Sequence, residues 1–205
     1  MEDSPYHSSK ISEFETSQLP PGFYGNVYHL SYKWTPIIPI SEQPVKIMEI
    51  GAYHGANTCS YMKSYARHPR SEIHCVDPWM DYDGYDEYQS KQHTNYSLFV
   101  QNLARLSPED LHKVHLHRGL SETMIPRFAD ESFDIIYIDG NHAMRYVLED
   151  AIQSYHKIKR GGWIIFDDMQ DKEVNQAVQM FLVTHSTEFD SIQIQHAQLF
   201  MRRRG

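Results

Sequence analysis

Two stretches constrain this chain most. Phe133-Asp-Ile-Ile-Tyr-Ile-Asp-Gly-Asn-His142 and Gly161-Gly-Trp-Ile-Ile-Phe-Asp-Asp168 are each a short β-branched and aromatic run that ends in acid. Between them lies a segment of helix length, in which Val147, Leu148, Ala151, Ile152, Tyr155 and Ile158 recur at helical spacing. The pattern predicts two parallel strands joined by a crossover helix over about 143–159, its apolar side chains facing the sheet. Gly161 and Gly162 are expected to end that helix. Crossovers of this kind are right-handed and place ligands at the carboxyl ends of the strands. Asp139, Asp167 and Asp168 therefore meet at one sheet edge. Three like charges so close cannot all stay ionised unaided, and a divalent cation with oxygen ligands is the simplest remedy.

The rest of the chain repeats the alternation. A strand over 45–50, a turn over 51–55 and a helix from 57 to about 68 are followed by a strand over 72–77. An acidic, tyrosine-rich loop over 79–88 then leads to a helix over about 95–105, a strand over 113–117 and a short helix with Ser121 as its N-cap. After Asp168 come a helix over about 172–184 and two runs, 189–194 and 197–202, that close as an antiparallel pair. The expected fold is a doubly wound α/β sandwich: a mostly parallel seven-stranded sheet with an antiparallel terminal hairpin. Residues 1–44 are polar and punctuated by Pro20-Pro-Gly22 and by prolines at 36, 39 and 44. They read as an irregular arm with one short helix, serving as a cover or linker, and residues 45–205 as the domain.

At 205 residues and 40% hydrophobic content, the chain can bury one real core. Its net charge of -8 argues against a grip on nucleic-acid phosphates. The start, Met1-Glu-Asp-Ser, lacks the pattern of a leader, and the longest apolar runs are strand length, so a cytoplasmic protein without membrane contact is expected. Cys59 and Cys75 fall inside a predicted helix and strand and read as buried thiols. His74, His112, His115 and His117 lack the companions of a zinc motif. His115 and His117 share one strand face and read as side chains turned to solvent.

Glu49-Ile-Gly-Ala-Tyr-His-Gly55 lies between the first strand and the first helix, where glycine lets backbone approach a ligand. Tyr53 stands where a dinucleotide fingerprint needs glycine, which disfavours a pyrophosphate there. Asp77 ends the second strand, where an acid can accept from ribose hydroxyls. Arg118-Gly-Leu-Ser121 follows the third strand, where an adenine would border the sheet.

In order along the chain stand Glu49-x-Gly51-x-x-x-Gly55, Val76-Asp-Pro-Trp79, Gly119-x-Ser121, Tyr137-Ile-Asp-Gly-Asn-His142 and Gly161-Gly-x-x-x-x-Asp167-Asp168. From about residue 45 to the end, the chain resembles the class I S-adenosylmethionine-dependent methyltransferases of the small, metal-dependent O-methyltransferase type. Asp-Gly-x-His and the late Asp-Asp resemble the enzymes that methylate macrolide and aminocoumarin sugars. Catechol-type enzymes usually have Asn as the second residue of that late pair.

The resemblance implies S-adenosyl-L-methionine as donor and Mg²⁺ (or Mn²⁺) held by Asp139, Asp167 and Asp168, with His142 as general base. It implies a methionine moiety along Glu49, Gly51, Ala52, Tyr53, Gly55, Asn57 and Thr58. The ribose would rest on Asp77 beside Pro78 and Trp79, and the adenine along Gly119, Leu120 and Ser121, with Asp139 also at the cofactor. Asn141, Tyr82 and Tyr85 are expected at the acceptor. The expected acceptor is a sugar hydroxyl, in a free sugar, a glycoside or a glycan. A catechol or phenol acceptor is the alternative, and a non-catalytic S-adenosylmethionine-binding module is the alternative of another class. Self-association, and tethering to a glycosyltransferase in a longer chain, are left open.

Overall fold

The computed structural model describes residues 12–83 and 89–205. Seven strands form one sheet in the order β3-β2-β1-β4-β5-β7-β6. They are β1 (Lys46–Ile50), β2 (Glu72–Asp77), β3 (Val114–Arg118), β4 (Phe133–Ile138), β5 (Ile158–Phe166), β6 (Phe189–Gln195) and β7 (Gln198–Arg203). The first five pair in parallel, while β7 runs antiparallel between β5 and β6. The expected fold class is the one observed. His196 and Ala197, both at positive φ, make the tight turn of the closing hairpin. Strand order reverses between β1 and β4, which opens a crevice at their carboxyl ends.

The helices are α1 (Glu13–Ser17), α2 (Ala56–Tyr61), α3 (Gln92–Leu103), α4 (Pro108–Leu111), α5 (Ser121–Met124), α6 (Met144–Lys157) and α7 (Lys172–His185). Strand alternation divides the core between two faces. Met48, Ile136, Ile138, Ile164 and Phe166 pack with Val147 and Ala151 of α6 and Val178 and Phe181 of α7. On the other side Ile47, Ile73 and Tyr137 pack with Tyr61, Tyr65 and Phe99. Leu30, Trp34 and Ile38 join this second cluster, so the proline-rich segment before β1 is part of the core. Trp34 is fully buried, and its indole N–H donates to Gln198 Oε1 at 2.9 Å. Cys59 and Cys75 are buried and unbonded to each other. Among the described residues, no helix is long and apolar enough to cross a membrane.

Four local expectations are corrected. The first helix ends at Tyr61, well before 68, and the chain continues as tight turns. There Ser64 Oγ bonds back to the Ser60 carbonyl at 3.0 Å, competing with the helical ladder. Gly161 and Gly162 lie inside β5, at an irregularity in its pairing with β4, and α6 passes straight into β5 at Ile158. A Cβ at Gly162 would lie 3.0 Å from the Asp134 carbonyl oxygen, a tight contact that favours glycine there. Ile152 faces outward, 41% exposed, because the buried stripe of α6 is Val147, Asp150, Ala151 and Ser154. Ser121 is the first residue of α5, with Leu120 in the capping position.

Candidate active site

The carboxyl ends of β1, β2 and β4 end in one concave region. β1 turns at Gly51, whose φ of +85° is left-handed. The turn is forced: an added Cβ at Gly51 would lie 1.9 Å from the Asp139 carbonyl oxygen. Glycine lets the backbones after β1 and β4 touch, which brings the first motif against Asp139. Tyr53, at φ +47°, stacks on His54 at 3.7 Å.

A cavity of about 990 Å³ opens here. It is at the upper end of the roughly 300–1,000 Å³ typical of small-molecule sites, with room for two reactants. Gly51, Tyr53, Asp77, Pro78, Leu120, Ser121, Asp139, Asn141, His142, Asp167, Asp168 and Tyr82 of the expected site residues line it. Tyr85 lies outside the described residues.

Glu49, Ala52, Gly55, Asn57, Thr58, Trp79 and Gly119 do not line the cavity, and each has a structural duty instead. Glu49 is buried beneath the turn and accepts from Thr58 Oγ1 at 2.5 Å, and burial raises its pKa well above the ordinary range. The Ala52 N–H helps hold Asp77. Gly55, at φ +81°, packs against the Phe99 ring, and Gly119 against Met124. Asn57 pins the segment before β1 by accepting from the Ser31 N–H at 2.7 Å and donating to the His29 carbonyl at 3.1 Å. Trp79 is buried, and its indole N–H donates to the Tyr53 carbonyl at 3.0 Å.

Asp77 has two tasks. Its carboxylate accepts from the N–H groups of Tyr53 at 3.0 Å and Trp79 at 2.9 Å, which fastens the turn while facing the cavity. Burial pushes its pKa up to about 6 against the pull of those N–H groups.

The acids after β4 and β5 form the charged rim. Ligand atoms of Asp139, His142 and Asp168 all lie within 4.8 Å of one another. His142 Nε2 is 3.2 Å from Asp168 and 3.8 Å from Asp139. Burial lifts Asp139 to about 7, helped by the negative charges of Asp167 and Asp168 and opposed by His142. Burial and the Asp167 charge raise Asp168 as well. Two carboxyls held up in this way are a site lacking positive charge, and a cation would let both ionise. Two carboxylates with an imidazole beside them suit Mg²⁺ or Mn²⁺, which take oxygen ligands and keep several waters.

Asp167, expected as the third ligand, is hydrogen-bonded to side chains on its inner side. Its oxygens lie 2.9 and 3.2 Å from His29 Nδ1, and the Tyr137 hydroxyl donates to it. Burial works to raise the Asp167 pKa, but these partners outweigh it and hold it below the ordinary value. The Asp167 hydrogen bond in turn raises His29. A residue from the arm thus closes over the rim. Tyr137 is two residues from Asp139 on the same strand face, a parity visible in the sequence, and its hydroxyl is 3.2 Å from Asp139.

Asn141 and Tyr82 join across the mouth, with Asn141 Nδ2 donating to the Tyr82 hydroxyl at 3.2 Å. Tyr146 faces Tyr82 edge-on at 6.1 Å.

Asp150 was missed because it is a charged residue inside an apolar helical stripe. It lines the cavity yet is 2% exposed, bonded through one side to Ser121, while its Oδ1 has no partner. Burial raises its pKa to about 7. The unfolded chain releases this proton near pH 4. Folding therefore takes up a proton between about pH 4 and 7, and stability falls as pH rises through that window. Asp150→Asn should flatten the fall and stabilise the protein at pH 8 by on the order of 2 kcal/mol, read by urea unfolding at pH 5 and 8. An unchanged pH dependence would show that the carboxyl is ionised in the folded state.

A family model described as "Methyltransferase domain" matches residues 48–169. "Uncharacterized protein R132" of Acanthamoeba polyphaga mimivirus is 23% identical over 153 residues, spanning 72% of this chain and 63% of that protein, so the chain accounts for under two thirds of this relative. The MycE methyltransferase from the mycinamycin biosynthetic pathway, solved with Mg, SAH and mycinamycin VI, superposes with a TM-score of 0.61 at 16% identity. That match covers 95% of this chain and 54% of MycE. The O-methyltransferase NovP gives 0.55 at 16% identity, covering 79% of this chain and 73% of NovP. These likenesses are of fold. The family match covers more than half of the chain, running from within β1 through β5 to the rim acids. The chain belongs to the methyltransferase-domain family.

Proposed function

We propose that this methyltransferase uses S-adenosylmethionine and a divalent cation, Mg²⁺ or Mn²⁺, to methylate a sugar hydroxyl. The observation that carries the reading is the convergence of Asp139, His142 and Asp168 within 4.8 Å, in the cavity that also contains Gly51 and Asp77. The donor's methionine end lies along Gly51 and Tyr53, its ribose at Asp77 and its adenine along Leu120 and Ser121. Asp139 and Asp168 hold the cation, and Asp167 stands behind them, hydrogen-bonded to His29. When bound, the cation lowers the pKa of a neighbouring hydroxyl and fixes its position.

The chain's own residues do the rest. The cavity holds sulfonium and acceptor oxygen about 3 Å apart, which removes much of the entropic barrier. His142 takes the acceptor's proton as its oxygen bonds to the methyl carbon and the carbon–sulfur bond breaks. Tyr82, Tyr146 and Asn141 present ring faces and polar groups of the kind that pack on a sugar and bond its hydroxyls. MycE, which shares the fold, was solved with Mg, SAH and mycinamycin VI, in keeping with this chemistry.

Acceptor profiling tests the substrate class. Methyl transfer to glycosides but not to catechols is expected. Transfer to catechols alone would keep the site and overturn the acceptor. Cofactor binding without transfer to either would favour a non-catalytic module.

His29 gives a second test. At pH 6, below the raised His29 pKa, His29→Ala removes a positive partner of Asp167, and Mg²⁺ affinity should rise on the order of tenfold, the effect of a screened unit charge a few ångströms away. Isothermal titration would show it. An unchanged affinity would place Asp167 outside the electrostatic reach of the ion.

A further inference from the structure

A second cluster of metal-binding side chains lies away from the cavity, at the amino-terminal half of β2 and the edge strand β3. Parallel register sets His74 beside His115, and strand alternation turns Glu72, His74, His115 and His117 to one side. Glu72 lies five residues and His74 three residues before Asp77, so these two are about 16 and 10 Å from Asp77 along the strand. His74 is the hub. Its ring stacks with His115 at 4.8 Å and with His117 at 5.1 Å. Its Nε2 is 3.0 Å from Glu72 Oε2, and its Nδ1 is 2.9 Å from His117 Nε2. Ligand atoms of Glu72, His74 and His115 all lie within 4.8 Å of one another.

We propose that Glu72, His74 and His115 form a second metal site, for a borderline transition-metal ion such as Zn²⁺, with His117 as the outer partner of His74. The donor set is two imidazoles and a carboxylate with a position left for water, which suits Zn²⁺ and disfavours Mg²⁺. Ligand atoms on a tetrahedral ion at 2.0–2.1 Å stand about 3.4 Å apart. The Glu72–His74 edge already has nearly that spacing. His115 is exposed at the sheet edge, and its ring, stacked on His74 at 21°, must rotate to turn a nitrogen toward the shared ion.

The outer partner is built in as well. With an ion on Nε2, His74 carries its proton on Nδ1 and donates it to His117, the arrangement that fixes a ligating ring. Phe128 and Phe133 meet the His74 ring edge-on at 5.3 and 5.4 Å and limit its rotation. Burial holds His74 down at about 4 and lowers His117. The competitor is Lys46, whose ammonium is 3.1 Å from Glu72. A dication bound directly displaces it, and Lys46 keeps its position over the Phe133 ring, 5.3 Å from the centroid.

The test is Zn²⁺ titration of the full chain carrying Asp139→Asn and Asp168→Asn, which disables the rim. One Zn²⁺ per chain is expected, with Co²⁺ substitution giving tetrahedral visible absorption. Adding His115→Ala should weaken binding by about a hundredfold or more, whereas His112→Ala should not. His115 is exposed, so the variant should melt like its parent. Lys46→Met should tighten binding by removing the competitor. No ion bound by the rim-disabled chain, or binding indifferent to His115→Ala, overturns the proposal.

Discussion

Asp139→Asn should lower methyl transfer by about a thousandfold, the several kcal/mol that a catalytic cation supplies, while leaving the fold intact. The carboxylate is the hinge of the rim: it faces His142 and Asp168, touches the Tyr137 hydroxyl and follows directly on β4. Asparagine keeps the shape and loses the charge that holds a dication. Burial raises the Asp139 pKa to about 7, so the metal-free protein gives up little by losing this group, and the melting temperature should stay the same or rise. Calorimetry and metal titration would separate the two effects. Full activity in Asp139→Asn would remove the cation from the account, and a collapsed fold would make Asp139 a structural residue.

Gly51→Ala should destabilise the protein by about 3–5 kcal/mol, the sum of left-handed strain and overpacking against backbone. The conformation alone costs a non-glycine residue roughly 1–2 kcal/mol. The larger share comes from the Asp139 carbonyl, 1.9 Å from the new methyl group, which no side-chain movement relieves. Gly161 is the control. Its φ is also positive, at +77°, but the nearest atom to an added Cβ is the end of the Arg202 side chain at 3.7 Å. Gly161→Ala should therefore cost only about 1 kcal/mol, the conformational part. Urea unfolding of the pair checks the contrast, and equal losses would mean that strain alone decides. Gly51→Ala should also weaken the donor site, because relief requires the turns after β1 and β4 to separate.

What was legible in the sequence followed from local rules. Short apolar runs ending in acid gave the strands, their parallel order and the meeting of Asp139 with Asp168. Glycines at 51 and 55 marked a left-handed turn, since side chains are costly there. The expected site residues that do not line the cavity share a different cause. Glu49, Asn57 and Thr58 belong to the right motif but point beneath the turn, where Thr58 satisfies Glu49 and Asn57 fastens residues 29 and 31. A motif gives position along the chain and leaves side-chain direction open.

Long-range contacts were the other loss. His29 reaches Asp167 across 138 residues from a segment with no periodicity, and Trp34 becomes core in a stretch whose composition is polar. Asp150 interrupts an apolar stripe, so a hydrophobic pattern passes over it. The histidines on β2 and β3 carry no zinc spacing in sequence because parallel register, not the interval along the chain, brings them together.

Cation-dependent methyl transfer is tested most directly by following a labelled methyl group from S-adenosylmethionine to a glycoside panel, with Mg²⁺ and with EDTA, in the native chain and in Asp168→Asn. Transfer with Mg²⁺ is expected, with its loss in EDTA and in the variant. Transfer that is indifferent to EDTA and persists in Asp168→Asn would contradict cation dependence.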